Sequence, residues 1–131
     1  MNVTVAVSVG ELVDKITILE IKAERITDPL RLGHVRTELA ALTGALSTAL
    51  FATVPLPALA ALTAELKAIN TKLWDIEDDI RGCERLGDFG ARFVALARAV
   101  YVTNDERFAL KNAINQLCAS TLVEVKSYAK Y

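Results

Sequence analysis

"AVYVTNDERFAL", residues 99–110, sets five consecutive polar residues, Thr103 to Arg107, inside an otherwise apolar run. Read as a loop, the segment divides the end of the chain into two short helices; read as helix, it carries polar groups through the interior of one long element. Local chemistry argues for a break. Thr103 with Glu106 three residues on is a capping-box pattern, and Thr, Asn and Asp in a helix interior cost together roughly 2 kcal/mol against Ala. Phase argues the other way. Phe89, Phe93, Leu96 and Val100 keep a spacing of three and four residues, and its extension falls on Thr103, Arg107, Leu110, Ile114 and Leu117. A new helix after a loop has no reason to resume the old phase, so the spacing predicts one helix over about 89–119.

The same spacing recurs upstream. Val9, Leu12, Ile16, Leu19, Ala23 and Ile26 form a first repeat, and Ser8 with Glu11 caps it, which predicts a helix over about 9–26. "ITDP" ends that helix, and Asp28 before Pro29 opens a second over about 29–51, with Leu32, Val35, Leu39, Leu42, Leu46 and Ala49 in phase. "TVPLP" closes it, because a residue before proline is pushed out of helical geometry. Leu59, Leu62, Leu66, Ile69, Leu73, Ile76, Ile80 and Cys83 mark a third helix over about 57–86. Four helices with short connections imply an all-α antiparallel four-helix bundle in a single domain, residues 1–131. Val3, Val5 and Val7, and Val123 and Val125, alternate with polar or small residues, and a short strand pair joining the two termini is geometrically allowed.

Composition agrees with helices. Hydrophobic residues make up 53% of 131 residues and aromatics only 6%, so Ala and Leu carry the apolar load. Fifteen Lys plus Arg against sixteen Asp plus Glu argue against nucleic acid as a partner. Cys83 and Cys118 fit no C-x-x-C pattern and read as buried thiols of a reducing compartment. "MNVTVAVSVG" has no basic residue ahead of its apolar ones, unlike a secretory signal, and the expected location is cytoplasmic. Residues 40–64, "AALTGALSTALFATVPLPALAALTA", lack any charge, yet Pro55 and Pro57 divide them into halves too short to span a bilayer. A hairpin buried in a core or against another subunit is the reading preferred to a membrane hairpin.

If the last helix is continuous, Thr103 and Arg107 occupy consecutive interior positions, with Asn104 and Lys111 on one flank. An arginine held inside a bundle keeps its charge and needs a carboxylate or an anionic ligand. Counting outward from the turns places Glu20 level with it as first partner, with Glu38 and Glu65 next. The candidate site is therefore Glu20, Thr103, Asn104, Arg107 and Lys111. One reading is a structural ion pair that fixes register. The other is a pocket for a small anion such as a carboxylate or phosphate, clamped by Arg107 and Lys111. Chorismate-mutase-like enzymes build sites in this way, but their arginine pattern is not matched here.

"LWDIEDDIR", residues 73–81, concentrates Asp75, Glu77, Asp78 and Asp79. Of these, Glu77 and Asp78 could approach Glu20 and Glu24 as Mg²⁺ ligands, as in helical nucleotide pyrophosphohydrolases, but Asp75 and Asp78 fall on the outward side and a solvated acidic face is the simpler expectation. No metal or cofactor is assigned. His34 lacks the partners of a triad or zinc site. Trp74, Ile18 and Ile21 lie off the helix seams. With the uncharged hairpin, they imply more apolar surface than one core consumes, which points to a homodimer or another protein partner.

"SVGELVDKITILEIKAERITDP", "LWDIEDDIR", "FGARFVALARAVYVTNDERFALKNAIN" and "LVEVKSY" together resemble a family of small bacterial and viral proteins known only as a domain of unknown function. The likeness spans nearly the whole chain and is most specific at "TNDER". It implies an occurrence alone or near glycosyltransferase and tetratricopeptide sequences of envelope polysaccharide systems, and it assigns no catalytic residue. The expectation is a cytoplasmic interaction or accessory module, more readily non-enzymatic than enzymatic. The alternative is a small-molecule enzyme or binder around Arg107.

Overall fold

The computed structural model describes residues 1–50 and 54–131. Its elements are α1 (Val9–Arg25), α2 (Pro29–Ala49), α3 (Leu56–Leu86) and α4 (Ala91–Leu117), the all-α four-helix bundle that the spacing predicts. Helix α4 runs unbroken through Thr103–Arg107, so phase outweighs local propensity there. The expected end of the second helix at residue 51, and the middle of the uncharged hairpin, lie outside the described residues.

The helix ends follow from side-chain chemistry. Ser8 Oγ accepts from the Glu11 N–H at 3.1 Å, and Asp28 Oδ1 accepts from the Arg31 N–H at 2.8 Å with Pro29 at the first helical position. Helix α3 stops at Gly87, whose φ of 66° is left-handed. The Gly87 N–H returns to the Glu84 carbonyl at 3.1 Å, and that of Asp88 to the Cys83 carbonyl at 2.9 Å.

Helix α1 is the centre of the bundle, in contact with all three others, while α3 and α4 pack closely as a hairpin. Its buried residues are Gly10, Val13, Asp14, Ile16, Thr17, Leu19 and Ile21, which cover more than half of its circumference at 3.6 residues per turn. The single seam expected for α1 is therefore too narrow. Ile21, read as surplus apolar surface, is 1% exposed and belongs to the core. Val13, Leu59, Leu66 and Ile114 form the main apolar cluster, and Leu46, Leu50 and Val54 pack against it. Helix α2 lies along α1 and buries Val35 alone. Between those two helices Lys15 pairs with Glu38 at 2.7 Å, which removes Glu38 as a partner for Arg107.

No strand forms among the described residues, so the terminal strand pair is not made. The alternation of residues 122–127 has another use. The extended tail after α4 sends Glu124 to Lys111, at 2.6 Å, and Lys126 to the Asn104 carbonyl, at 3.2 Å, while Val123 and Val125 are exposed. The polar members of the repeat, rather than the valines, hold this segment to the bundle, along α4 instead of against the N-terminus.

Candidate functional site

A polar layer crosses the bundle where α1, α3 and α4 meet. Asp14, Thr17, Asn70 and Thr103 are each buried, Asp14 to 1% exposure. Arg107 reaches across from α4 with Nε 2.9 Å from Asp14 Oδ1 and Nη2 on Asp14 Oδ2, a two-point guanidinium–carboxylate pair. Asn70 Nδ2 donates to the same Asp14 Oδ1 at 2.9 Å and to Thr17 Oγ1 at 3.0 Å. The carboxylate thus accepts from three nitrogens on two other helices. Its hydrogen bond to Arg107 holds the guanidinium pKa above its ordinary value against the opposing effect of burial.

One turn further along α4, Lys111 is 5% exposed and places Nζ between Glu11, at 2.7 Å, and Glu124, at 2.6 Å. Burial pulls the Lys111 pKa down, but the two carboxylates outweigh it and the net direction is upward. Beyond it, Asn115 Oδ1 accepts from the Gly10 N–H at 2.6 Å, satisfying one of the open amides of the first turn of α1. The tail completes the arrangement: Lys126 lies 3.6 Å from Asp105 and 5.2 Å from the Phe108 ring centre, and the Tyr131 hydroxyl donates to Asp105 Oδ2 at 2.6 Å.

Of the five residues expected at the site, Thr103, Asn104, Arg107 and Lys111 come together and Glu20 does not. Glu20 lies 3.4 Å from Lys67, which also binds Glu24 at 2.5 Å. Glu20 fails as the partner because counting from the turns treats α1 as having one interior face. Its neighbours on three sides place Asp14 inside, about two turns earlier than Glu20. Asp14, Thr17, Asn70, Asn115, Glu11 and Glu124 were the residues missed. The available signals were Asp14 and Thr17 at i, i+3, and Asn70 directly after the core position Ile69.

The acidic cluster does not assemble either. Glu20 and Glu24 turn to Lys67, Glu77 is held by Arg81 on its own helix, and Asp75 lies 3.0 Å from Arg25. Among the described residues no group of three or more His, Cys, Asp or Glu side chains is placed to hold a metal ion.

Two cavities flank the layer. One of about 410 Å³ lies between α4 and the tail, lined by Arg107, Lys111, Lys126, Glu124, Tyr101 and Tyr128 among others. The second, about 430 Å³, opens between α1, α3 and α4. Asn104 and Arg107 border both.

Apart from Asn70, the layer is built from the segments "SVGELVDKITILEIKAERITDP", "FGARFVALARAVYVTNDERFALKNAIN" and "LVEVKSY", and "LWDIEDDIR" borders it through the second cavity; these are the stretches that carry the family resemblance. A family match covers residues 3–131. The chain belongs to DUF6165, a family of unknown function. No curated protein and no solved structure matches it. As a member of DUF6165 it therefore inherits no assigned activity. Among the described residues, no helix is long and apolar enough to cross a membrane.

Proposed function

We propose that the chain is a non-catalytic helical interaction or accessory module, in which the polar layer sets helix register and anchors the tail. One observation carries this reading: each cation of the layer has its own carboxylate. Asp14 meets Arg107, Glu11 and Glu124 meet Lys111, and Asp105 meets Lys126. The region holds three cations against four carboxylates, so a phosphate or a simple carboxylate would meet no unmatched positive charge.

The module is proposed to act in the cytoplasm, where free thiols such as Cys83 and Cys118 persist. It is proposed to do so as a homodimer, on the strength of the apolar side chains it exposes, among them Leu30, Leu56, Leu86 and Phe89. A place in envelope polysaccharide or glycosyltransferase systems is a further proposal that rests on the resemblance alone.

The test is thermal unfolding with phosphate, citrate, ATP and Mg²⁺, on the wild type and on an Asp14→Leu/Arg107→Met double variant. No probe is expected to raise the Tm. A rise with one probe that disappears in the double variant would replace the module with a small-anion binder or enzyme. Sedimentation at micromolar concentration giving a 14.2 kDa species would remove the homodimer.

A further inference from the structure

The cavity between α1, α3 and α4 is distinct in character from the ion-pair layer that forms its edge. Its apolar surface comes from Ile18, Ile21, Leu73 and Trp74. Asn104 and Arg107 stand at one end. Arg107 uses Nε and Nη2 on Asp14, and its remaining Nη1 has only a 3.5 Å contact with Asn104 Oδ1. Among the described residues Asn104 Nδ2 donates to nothing. This end therefore offers N–H donors. Asn70 spends its Nδ2 on Asp14 and Thr17, and its Oδ1 accepts no hydrogen bond among the described residues. At the other end Glu77 and Arg81 satisfy each other, and Asp78 is exposed and in no ion pair among the described residues.

The lining carries two carboxylates, Glu77 and Asp78, and two guanidinium groups, Arg81 and Arg107; Arg81 offsets Glu77 and Asp14 offsets Arg107, so one end is acidic at Asp78 while the other is neutral and offers N–H donors. That arrangement disfavours a simple anion and favours a molecule with an ammonium group at one end and a hydrogen-bond-accepting carboxylate at the other.

Separation decides the size. Asn70 and Arg107 both reach Asp14 and so lie at about one level. Asp78 is eight residues further along α3, about 12 Å at 1.5 Å per residue, and Asn104 is nearer by about 4.5 Å. The ends are thus about 8 to 12 Å apart. The α-ammonium and α-carboxylate of one amino acid cannot bridge that distance. An extended chain at about 3.5 Å per residue does so with two or three residues.

We propose that this cleft binds a short zwitterionic peptide, a di- or tripeptide with apolar side chains. Its carboxylate takes the donors of Asn104 and Arg107, its ammonium takes Asp78, a backbone N–H meets Asn70 Oδ1, and its side chains cover Ile18, Leu73 and Trp74. A volume of about 430 Å³ lies within the usual range for small-ligand sites. The proposal goes beyond the module reading. An anion that stabilised the protein through the ion-pair layer would sink that reading and leave this one standing.

Trp74 is the only tryptophan of the chain, so its emission reports on the cleft directly. The experiment titrates the full chain with dileucine and trileucine, then with free leucine, N-acetylated trileucine and trileucine amide. Expected is a saturable change in Trp74 emission with dileucine or trileucine, at least about tenfold weaker for free leucine and for either blocked peptide. Asn104→Asp, which sets an acceptor against the ligand carboxylate, should abolish the change. Asp78→Asn should weaken trileucine to the level of its N-acetylated form. Neither side chain is buried, so both variants should unfold at the wild-type temperature. No saturable change with either peptide, or blocked forms that bind as tightly as free ones, overturns the proposal on the wild-type protein alone.

Discussion

The Gly10 N–H donates to Asn115 Oδ1 at 2.6 Å, where the backbones of α1 and α4 come close together. A Cβ placed on Gly10 would lie 2.3 Å from the Lys111 carbonyl oxygen and 2.8 Å from Asn115 Oδ1. The first of these is backbone and cannot swing aside, so Gly10→Ala must push the two helices apart. It should cost about 3 kcal/mol in urea unfolding, at the upper end of ordinary overpacking. Gly33→Ala and Gly44→Ala meet nothing within 4 Å in the interior of α2, and should each stabilise by about 0.5–1 kcal/mol. Equal effects at the three sites would refute the close approach.

Asp14 and Arg107 should respond unequally to loss of their partners. Arg107→Met leaves a carboxylate with 2% side-chain exposure and Asn70 as its remaining cross-helix donor, a loss of about 3–5 kcal/mol. Asp14→Leu leaves a guanidinium that is 28% exposed and able to turn toward water, so its cost should be nearer 2 kcal/mol. The double variant should recover most of the larger loss. A double-mutant cycle by chemical denaturation measures the coupling, and additive losses would mean that the pair contributes nothing as a pair.

The fold was legible because its evidence is periodic. Eight core positions in α3 and the unbroken phase through "TNDER" override a propensity penalty of roughly 2 kcal/mol spread over adjacent residues. The site was half legible. Arg107 and Thr103 announce themselves as polar residues at interior positions of a helix with one dominant seam, and Lys111 as a residue on their flank. Asp14 does not, because α1 touches three neighbours and its buried arc mixes Val13 and Ile21 with Gly10, Asp14 and Thr17. A one-seam reading assigns those polar residues to solvent. The tail misled for a related reason: period two shows which residues share a side, but it cannot say which side faces the protein. Here Glu124 and Lys126 turn inward because buried Lys111 and half-exposed Asp105 offer them opposite charges.

Lys111 should make stability fall at high pH. Its folded-state pKa is raised above the ordinary lysine value of 10.5, since Glu11 and Glu124 outweigh the burial that lowers it. The charged form is therefore favoured by folding. Its contribution is complete below the unfolded pKa and is lost as pH rises through the folded one. The difference in urea midpoint between wild type and Lys111→Met should hold steady through neutral pH and shrink above about pH 10. The same variant frees Glu124, so amide exchange over residues 122–131 should quicken. A difference that stays constant into alkali would mean that Lys111 acts through packing alone.

Thr103 offers a gain rather than a loss. It is 1% exposed, and its Oγ1 has no hydrogen-bond partner among the described residues. A buried hydroxyl left unpaired costs about 1–3 kcal/mol, and valine replaces it with a methyl group of similar shape and similar helix propensity. Thr103→Val should therefore stabilise the protein by about 1 kcal/mol. Thr103→Ser keeps the hydroxyl, removes the packed methyl and should destabilise by a similar amount. Thermal and urea unfolding of the pair separate the two contributions of this side chain. If valine destabilises while serine is neutral, the hydroxyl is bonded in solution and Thr103 belongs to the hydrogen-bonding network around Arg107 rather than to the packing of the core.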